Sequence, residues 1–338
     1  MSRCIQLAKS GAGNVAPNPM VGAVLVYENK IIGEGFHQKY GEAHAEVNCI
    51  NSVPAEQKSL IEKSTLYVSL EPCAHHGKTP PCADLIVKNK INKVVIGCQD
   101  VYEQVAGKGI EKLQNAGVEV VTGVLENESK DLNKRFFTFH QQKRPYIILK
   151  WAQSANAKIG SKNGERVLIS NGFSNRLVHK WRSEEAGILV GENTALKDDP
   201  SLTTRLWKGE NPVRIVIDPQ LKLPASLKIF DDESKTIIYN LLKNSPGKNI
   251  EYIQLKPENL LESLLSSLYE NDIQSILVEG GAKTLQSFID QNLWDEARVI
   301  TNAGIIIEEG VDAPAMKNFD LVQQEKLFSD EISYFSRK

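Results

Sequence analysis

The sequence predicts an α/β protein of two domains, and three observations predict it. The chain has 338 residues, more than one ordinary domain holds. Each half alternates strand-like apolar runs with helix-like amphipathic runs, the pattern of a sheet covered by helices on both faces. Between the halves, the polar stretch QQKRP at 141–145 ends in proline. The boundary therefore falls near 143, giving domains 1–143 and 144–338.

In the first half, residues 2–11 read as a helix with Cys4, Ile5, Leu7 and Ala8 on its apolar side. GAVLVYENKIIGEGF (22–36) reads as a hairpin turning at Glu28-Asn29-Lys30. A helix over 44–53, a buried strand over 64–72 stopped by Pro72, a helix over 82–90 and a strand over 91–100 follow. Then come a short helix (109–116) stopped by Gly117, a strand (118–124) and a helix (126–140). In the second half, 146–152, 186–191, 212–218, 235–240, 274–280 and 296–305 read as strands. Helices are expected over 172–182, 257–270 and 282–291.

Composition narrows the function. The residues are 41% hydrophobic and 24% charged, with a formal net charge of −2. No basic block offers a nucleic-acid surface, so no polynucleotide partner is expected, although local Lys and Arg clusters suffice to hold a phosphate on a small substrate. Association with further copies of the chain is compatible with this composition. Five cysteines in so long a chain do not make a disulfide framework. Two of them, Cys73 and Cys82, share one short loop, where metal binding is the better reading, and a reducing cytoplasmic setting fits. No apolar run approaches the roughly 20 residues that span a bilayer. The start, MSRCIQLAKS, has no signal-peptide core; it opens abruptly on an amphipathic helix, as if a few leading residues were missing.

The decisive pattern is His44-Ala45-Glu46, followed by Pro72-Cys73 and then Cys82. One imidazole and two thiolates form a catalytic zinc set, with the fourth tetrahedral position left for water. The metal brings that water's pKa from about 15.7 toward ~7. Glu46, beside the ligand His44, is placed to carry a proton to a ring nitrogen and then to the departing amine, the division of labour of zinc nucleobase deaminases. If Cys82 opens the following helix, the helix dipole favours its thiolate. Nucleic-acid deaminases carry two residues between the cysteines; here there are eight, Ala74 through Pro81. A purely structural zinc requires a fourth protein ligand, for which His75 or His76 is the candidate. Cys4, Cys49 and Cys98 read as core residues.

Taken together, APNPMVGAVLV, GEGFHQKYGEAHAEVNCI and SLEPCAHHGKTPPC resemble the bifunctional deaminase/reductases of riboflavin biosynthesis. The resemblance covers nearly the whole chain and is most specific over 16–110. It implies a cytidine-deaminase-like domain followed by a dihydrofolate-reductase-like α/β domain. The first would deaminate 2,5-diamino-6-ribosylamino-4(3H)-pyrimidinone 5′-phosphate by zinc-hydroxide attack; the second would use NADPH to reduce the ribosyl group to a ribityl chain. His44, Cys73 and Cys82 match the zinc ligands and Glu46 the proton donor. Asn18 and Lys78 match substrate contacts. Where the family reads Asp-Pro-Asn-Pro, this chain has Asp100-Val101-Tyr102-Glu103, while VAGKG (105–109) matches.

Read on its own residues, the second half offers ILVEGGAKTLQSFI, a buried strand running into Glu279-Gly280-Gly281 and a helix whose start suits a phosphate. NTALKDDPSLTTR (193–205) offers a turn at Asp198-Asp199-Pro200 with Arg205 beyond it. The resemblance places Ala152, Thr194, Asp198 and the run from Gly281 at cofactor positions, and Arg182, Leu202, Arg205 and Glu279 at substrate positions. Two guanidinium groups converging on one phosphate make chemical sense. The chain departs from the family pattern Ser-Leu-Asp-Gly-Lys with Ser154-Ala155-Asn156-Ala157-Lys158. Asn156 removes a charge, and Ala157 is costly wherever φ is positive. Arg166 and Leu168 stand where the family has Ser and Trp. These departures raise a weakened or inactive reductase as the alternative to a fully bifunctional enzyme.

Overall fold

The computed structural model describes residues 1–76, 80–163 and 167–338. It divides into two compact units, Met1–Lys143 and Arg144–Lys338.

The first unit runs, in chain order, α1 (Ser2–Lys9), β1 (Gly22–Tyr27), β2 (Lys30–Phe36), α2 (Ala45–Asn51), β3 (Thr65–Leu70), α3 (Cys82–Lys88), β4 (Lys93–Cys98), α4 (Lys108–Asn115), β5 (Glu119–Val121), α5 (Glu126–Leu132) and α6 (Lys134–Gln142). Its sheet has the order β2-β1-β3-β4-β5. The predicted hairpin pairs Gly22 with Phe36, with positive φ at Glu28 and Asn29 where the chain reverses. β3, β4 and β5 are parallel, which requires crossover helices and gives strands buried on both faces. Leu66, Val68, Val94 and Ile96 accordingly show no exposed surface. Helices α1 and α5 pack on one face and α2, α3 and α4 on the other. Cys4, Cys49 and Cys98 are fully buried core residues.

The single helix expected over 126–140 is two helices broken at Asn133. The Asn133 amide accepts from the Met20 N–H at 2.8 Å and donates to the Met20 carbonyl at 2.9 Å. Those two bonds to a distant backbone pull the residue out of helical geometry (φ −112°, ψ 25°).

The second unit runs β6 (Tyr146–Ser154), β7 (Lys158–Ser161), α7 (Gly172–Glu184), β8 (Gly187–Gly191), α8 (Glu192–Asp198), β9 (Val213–Ile217), β10 (Thr236–Asn240), β11 (Ile250–Gln254), α9 (Leu260–Glu270), β12 (Ser275–Val278), α10 (Ala282–Asp290), β13 (Glu296–Asn302), β14 (Gly310–Asp312), β15 (Phe319–Leu327) and β16 (Asp330–Arg337). The main sheet has the order β11-β10-β9-β8-β12-β6-β13-β16-β15, parallel as far as β13 and antiparallel beyond it. One face packs Leu264, Leu268, Leu285 and Phe288 of α9 and α10 onto Ile147, Leu149 and Ile276. The other packs Val178 and Trp181 of α7 onto Ile148, Leu277 and Ile300.

Several features differ from the sequence expectation, including the short strands β7, β11 and β14, which it did not contain. Residues 257–259 form a 3-10 turn before α9 begins. The stretch before Asp198-Asp199-Pro200 is a helix, α8, closed by Asp199 at φ 39°. The strand expected over 296–305 stops at Asn302, whose side chain accepts from the Gly304 N–H at 3.0 Å. The hairpin β15–β16 was not anticipated. Every residue of β15 except Leu327 is exposed, so it lacks the alternation that marks a half-buried strand.

Candidate active sites in the two units

In the first unit, His44 immediately precedes α2 in extended geometry (φ −72°, ψ 168°), and Glu46 lies in the first turn of that helix. Cys73 follows β3, and Cys82 is the first residue of α3, as expected from Pro81 before it. The fold brings the three candidate ligands together, with all their donor atoms within 4.8 Å of one another. His44 Nδ1 lies 3.6 Å from Cys73 Sγ and 3.4 Å from Cys82 Sγ. Tetrahedral zinc with bonds of about 2.3 Å to sulfur and about 2.1 Å to nitrogen would separate such atoms by roughly 3.6 Å. The donor set therefore fits zinc in both chemistry and spacing. Among the described residues neither His75 nor His76 joins this group.

The two sulfurs are unequal: Cys73 is shifted toward its thiolate, whereas Cys82 is shifted toward its thiol, against the expectation that its place at a helix start would favour the charged form. The Cys82 backbone N–H donates to Cys73 Sγ at 3.3 Å. The Cys73 thiol is held well below its ordinary range, chiefly by a hydrogen bond from Cys82, with burial opposing and His44 assisting. Cys82 is pushed up by that same hydrogen bond and by burial. Glu46 is 3% exposed, and burial, followed by the nearby Cys73, raises its carboxyl above the ordinary value. A carboxyl raised in this way takes up and holds a proton more readily than an exposed one.

Asn18 sits at the edge of this centre, its Nδ2 donating to His37 Nε2 at 3.2 Å. His37 Nδ1–H donates to the Ala43 carbonyl at 3.1 Å, which fixes the tautomer that leaves Nε2 free to accept. Burial keeps His37 below its ordinary pKa, and its ring meets that of His44 edge-on at 5.3 Å. His37 was missed in the sequence; a histidine seven positions before the ligand was the available signal. Lys78 lies outside the described residues. Tyr102, which stands at the family's asparagine position, packs against the rings of His75 and His140 at 6.2 and 5.0 Å.

In the second unit, Glu279 follows β12 and is buried. Arg182, in the last turn of α7, grips it bidentately, with Nε and Nη2 donating at 2.7 and 2.9 Å. Lys150 of β6 approaches the same carboxylate at 3.6 Å. Burial pushes the Glu279 carboxyl up, but Arg182 and Lys150 outweigh it and hold it at about 2. The remaining Arg182 contact runs from Nη1 to the Thr203 carbonyl at 3.1 Å. That carbonyl follows Leu202, which is buried and has φ 55°. His179 is held at about 4 by burial and then by Arg182 and Arg205, which puts both arginines near one buried imidazole. Lys150 was missed in the sequence, although a lysine inside the apolar run YIILKWA was a legible oddity.

Of the expected cofactor positions, Gly281 and Thr194 come together. Gly281 has φ 51°, and a Cβ there would stand 3.2 Å from Thr194 Oγ1; glycine supplies both the backbone conformation and the open space. Asp198 ends α8, and Ala152 lies on β6, two residues beyond Lys150. A cavity of about 570 Å³, lined among others by Ile217, Pro219, Asn259, Lys283, Thr284 and Ser287, opens beside the start of α10.

The departures from pattern are local. Asn156 accepts from the Ile307 N–H at 3.2 Å and donates to the Ile307 carbonyl at 2.9 Å, a pairing that an aspartate could not complete. Ala157 does sit at positive φ, 54°. Leu168 is 75% exposed, and Arg166 lies outside the described residues.

Comparison with known proteins places these two sites in context. Residues 1–98 match a family profile described as the cytidine and deoxycytidylate deaminase zinc-binding region, and residues 145–309 match the RibD C-terminal domain. The chain is 42% identical to the riboflavin biosynthesis protein RibD of Aquifex aeolicus, covering 92% of this chain and 88% of that one. It is 40% identical to RibD of Bacillus amyloliquefaciens, covering 88% and 81%. Among solved structures, a diaminohydroxyphosphoribosylaminopyrimidine deaminase/5-amino-6-(5-phosphoribosylamino)uracil reductase from Thermotoga maritima superposes with a TM-score of 0.90 at 38% identity, covering 100% of this chain and 97% of that one. RibD of Acinetobacter baumannii gives a TM-score of 0.89 at 29% identity, with the same coverage.

Proposed function

The chain belongs to the RibD family of riboflavin biosynthesis, and on that premise we propose which of its residues perform its two reactions. It is a bifunctional enzyme: a zinc-dependent deaminase in the first unit and an NADPH-dependent reductase in the second. We propose that its small-molecule substrate is 2,5-diamino-6-ribosylamino-4(3H)-pyrimidinone 5′-phosphate and that it works in the cytoplasm, where thiols stay reduced.

In the first unit, His44, Cys73 and Cys82 would hold zinc and leave one coordination place open. Zinc, when bound, supplies the Lewis acidity that makes water a nucleophile at neutral pH. Glu46 takes one proton from that water and delivers it to the ring nitrogen, then takes a second from the hydroxyl now on the ring carbon and delivers it to the leaving amine, so a carbonyl remains and ammonia departs. Its burial excludes competing solvent and raises its carboxyl above the ordinary value, which helps it hold the proton it passes on. Asn18, fixed by His37, orients the pyrimidine, and Lys78 takes the phosphate.

In the second unit, Glu279, Arg182, Leu202 and Arg205 face the substrate, and Ala152, Thr194, Asp198 and the run from Gly281 face the cofactor. NADPH, when bound, supplies the two-electron reduction at ribose C1′. The cavity beside α10 receives the cofactor's nucleotide end. Arg182 already holds Glu279 in place, which aims the carboxylate at the sugar and leaves the more exposed Arg205 to meet the phosphate.

The observation that carries this reading is the spacing of one imidazole and two sulfurs around a point that a buried carboxyl adjoins. A coupled assay on the purified protein tests it, following ammonia release and NADPH oxidation separately. Both signals should appear with the pyrimidine substrate, and only NADPH oxidation with the deaminated intermediate. Ammonia release without any NADPH loss would establish a one-activity enzyme instead.

A further inference from the structure

Glu71 stands between the end of β3 and the Pro72-Cys73 pair, and its side chain is 4% exposed. Its carboxylate accepts four backbone N–H groups from a single distant segment. Oε2 accepts from Asp100 at 3.1 Å and Gly107 at 3.0 Å; Oε1 accepts from Gly109 at 2.9 Å and Ile110 at 3.2 Å. A carboxylate has about four lone-pair sites, so its capacity is filled. Three of the four donors lie at the start of α4, where free N–H groups and the helix dipole favour a negative charge. The Glu71 backbone N–H is also fixed, donating to the Cys98 carbonyl at 3.0 Å.

The far side of Cys73 is held as firmly. The Ala83 N–H donates to the Cys73 carbonyl at 3.1 Å, and the Cys82 N–H to its sulfur at 3.3 Å. Pro72 between them has a fixed φ, and Gly109 lies so close that a Cβ there would stand 1.9 Å from the Pro72 carbonyl oxygen. The segment bearing Cys73 is thus clamped between the starts of α4 and α3.

We propose that Glu71 is a positioning residue for the metal centre: its carboxylate ties the Pro72-Cys73 segment to the start of α4 and thereby aims Cys73 Sγ at the metal. The proposal rests on the reading of His44, Cys73 and Cys82 as ligands. Residues behind a metal's ligands typically govern affinity by 10–100-fold. Glu71→Gln keeps the shape but turns one acceptor into a donor facing N–H groups, so the clamp opens.

The full-length protein is loaded with zinc, and its zinc dissociation constant is measured by competition with a chromogenic chelator. The cobalt-substituted protein is then examined for its thiolate charge-transfer and ligand-field bands. Glu71→Gln should weaken zinc binding 10–100-fold and shift the cobalt bands. Leu113→Val, which loosens the buried face of the same helix without touching the carboxylate, should lower the melting temperature while leaving zinc affinity and the cobalt bands as in the parent. Gly109→Ala, which presses on the Pro72 carbonyl with Glu71 intact, should weaken zinc as Glu71→Gln does, and it carries the test should Glu71→Gln fold poorly. Zinc affinity within twofold of the parent and an unaltered cobalt spectrum overturn the proposal, as does equal zinc loss in Leu113→Val. A parent protein that binds no zinc would instead overturn the ligand assignment itself.

Discussion

The two active sites solve the problem of buried charge in opposite ways. In the first unit, His44, Cys73 and Cys82 converge with their donor atoms facing one another, linked by sulfur contacts of 3.3–3.6 Å that are weaker than charge pairing. In the second, Glu279, Arg182 and Lys150 already compensate one another at 2.7–3.6 Å. The first site is an incomplete coordination sphere and the second a complete ion cluster. The first therefore depends on its metal, whereas the second is built into the stability of its own unit. Breaking a buried ion cluster by removing one member strands the others, which typically costs about 3–5 kcal/mol.

That contrast can be broken most sharply at Glu46. Glu46→Gln should lower ammonia release by about 10²–10⁴-fold, leave zinc bound, and leave NADPH oxidation of the deaminated intermediate untouched. Wild-type ammonia release in this variant would remove the proton shuttle from the account. The next largest effect should come from Glu279→Gln. Reductase kcat/KM should fall by at least tenfold, and the second unit should lose roughly 3–5 kcal/mol, with deamination preserved. Chemical unfolding followed by tryptophan fluorescence reads this unit alone, because all four tryptophans, at 151, 181, 207 and 294, lie in it.

Acid sharpens the same contrast. The Glu279 carboxyl is held at about 2 in the folded unit against an ordinary 4.5, so on acidification the unfolded chain takes the proton first. Its contribution to stability is complete above 4.5 and is lost as pH falls toward 2. Tryptophan-monitored unfolding between pH 6 and pH 3 should show declining stability, with a flatter decline in Glu279→Gln. Equal slopes would place the acid sensitivity elsewhere. The smallest effect is expected at Ala157, whose φ of 54° suits glycine. Ala157→Gly should stabilise the second unit by about 0.5–1 kcal/mol, the relief of the left-handed conformation exceeding the added chain entropy. A destabilised variant would show that the alanine methyl packs usefully there.

The two sites also differed in how far the sequence disclosed them. The cluster that the fold brings together was legible because its members occur in short, chemically unusual words, His44-Ala45-Glu46 and Pro72-Cys73, with Cys82 at a predicted helix start. What supports that cluster was not legible. His37 acts through a neutral tautomer fixed by the Ala43 carbonyl. Glu71 acts through backbone groups some thirty to forty residues away, and nothing in its local sequence indicates such a partner. Asn133 looked like a polar residue within one helix because its bonds run to Met20, at the other end of the unit. In the second unit, strand and helix order was legible from apolar runs, but the ion cluster draws on β6, α7 and the end of β12, and only the pairing of β6 with β12 and the packing of α7 onto them joins its members. The departures at Asn156 and Ala157 raised doubt about the reductase. In the structure the first of them carries a side chain that pairs with both backbone groups of Ile307.

The most direct test of the central claim is X-ray absorption at the zinc edge on the metal-loaded, full-length protein. The account predicts one zinc per chain with two sulfurs at about 2.3 Å, one imidazole nitrogen and one further light atom that does not come from the protein. The spectrum should lose one sulfur in Cys82→Ser and keep its coordination number in Glu46→Gln. A second imidazole in the wild-type spectrum, contributed by His75 or His76, would contradict it, because a closed coordination sphere leaves no place for the reacting water.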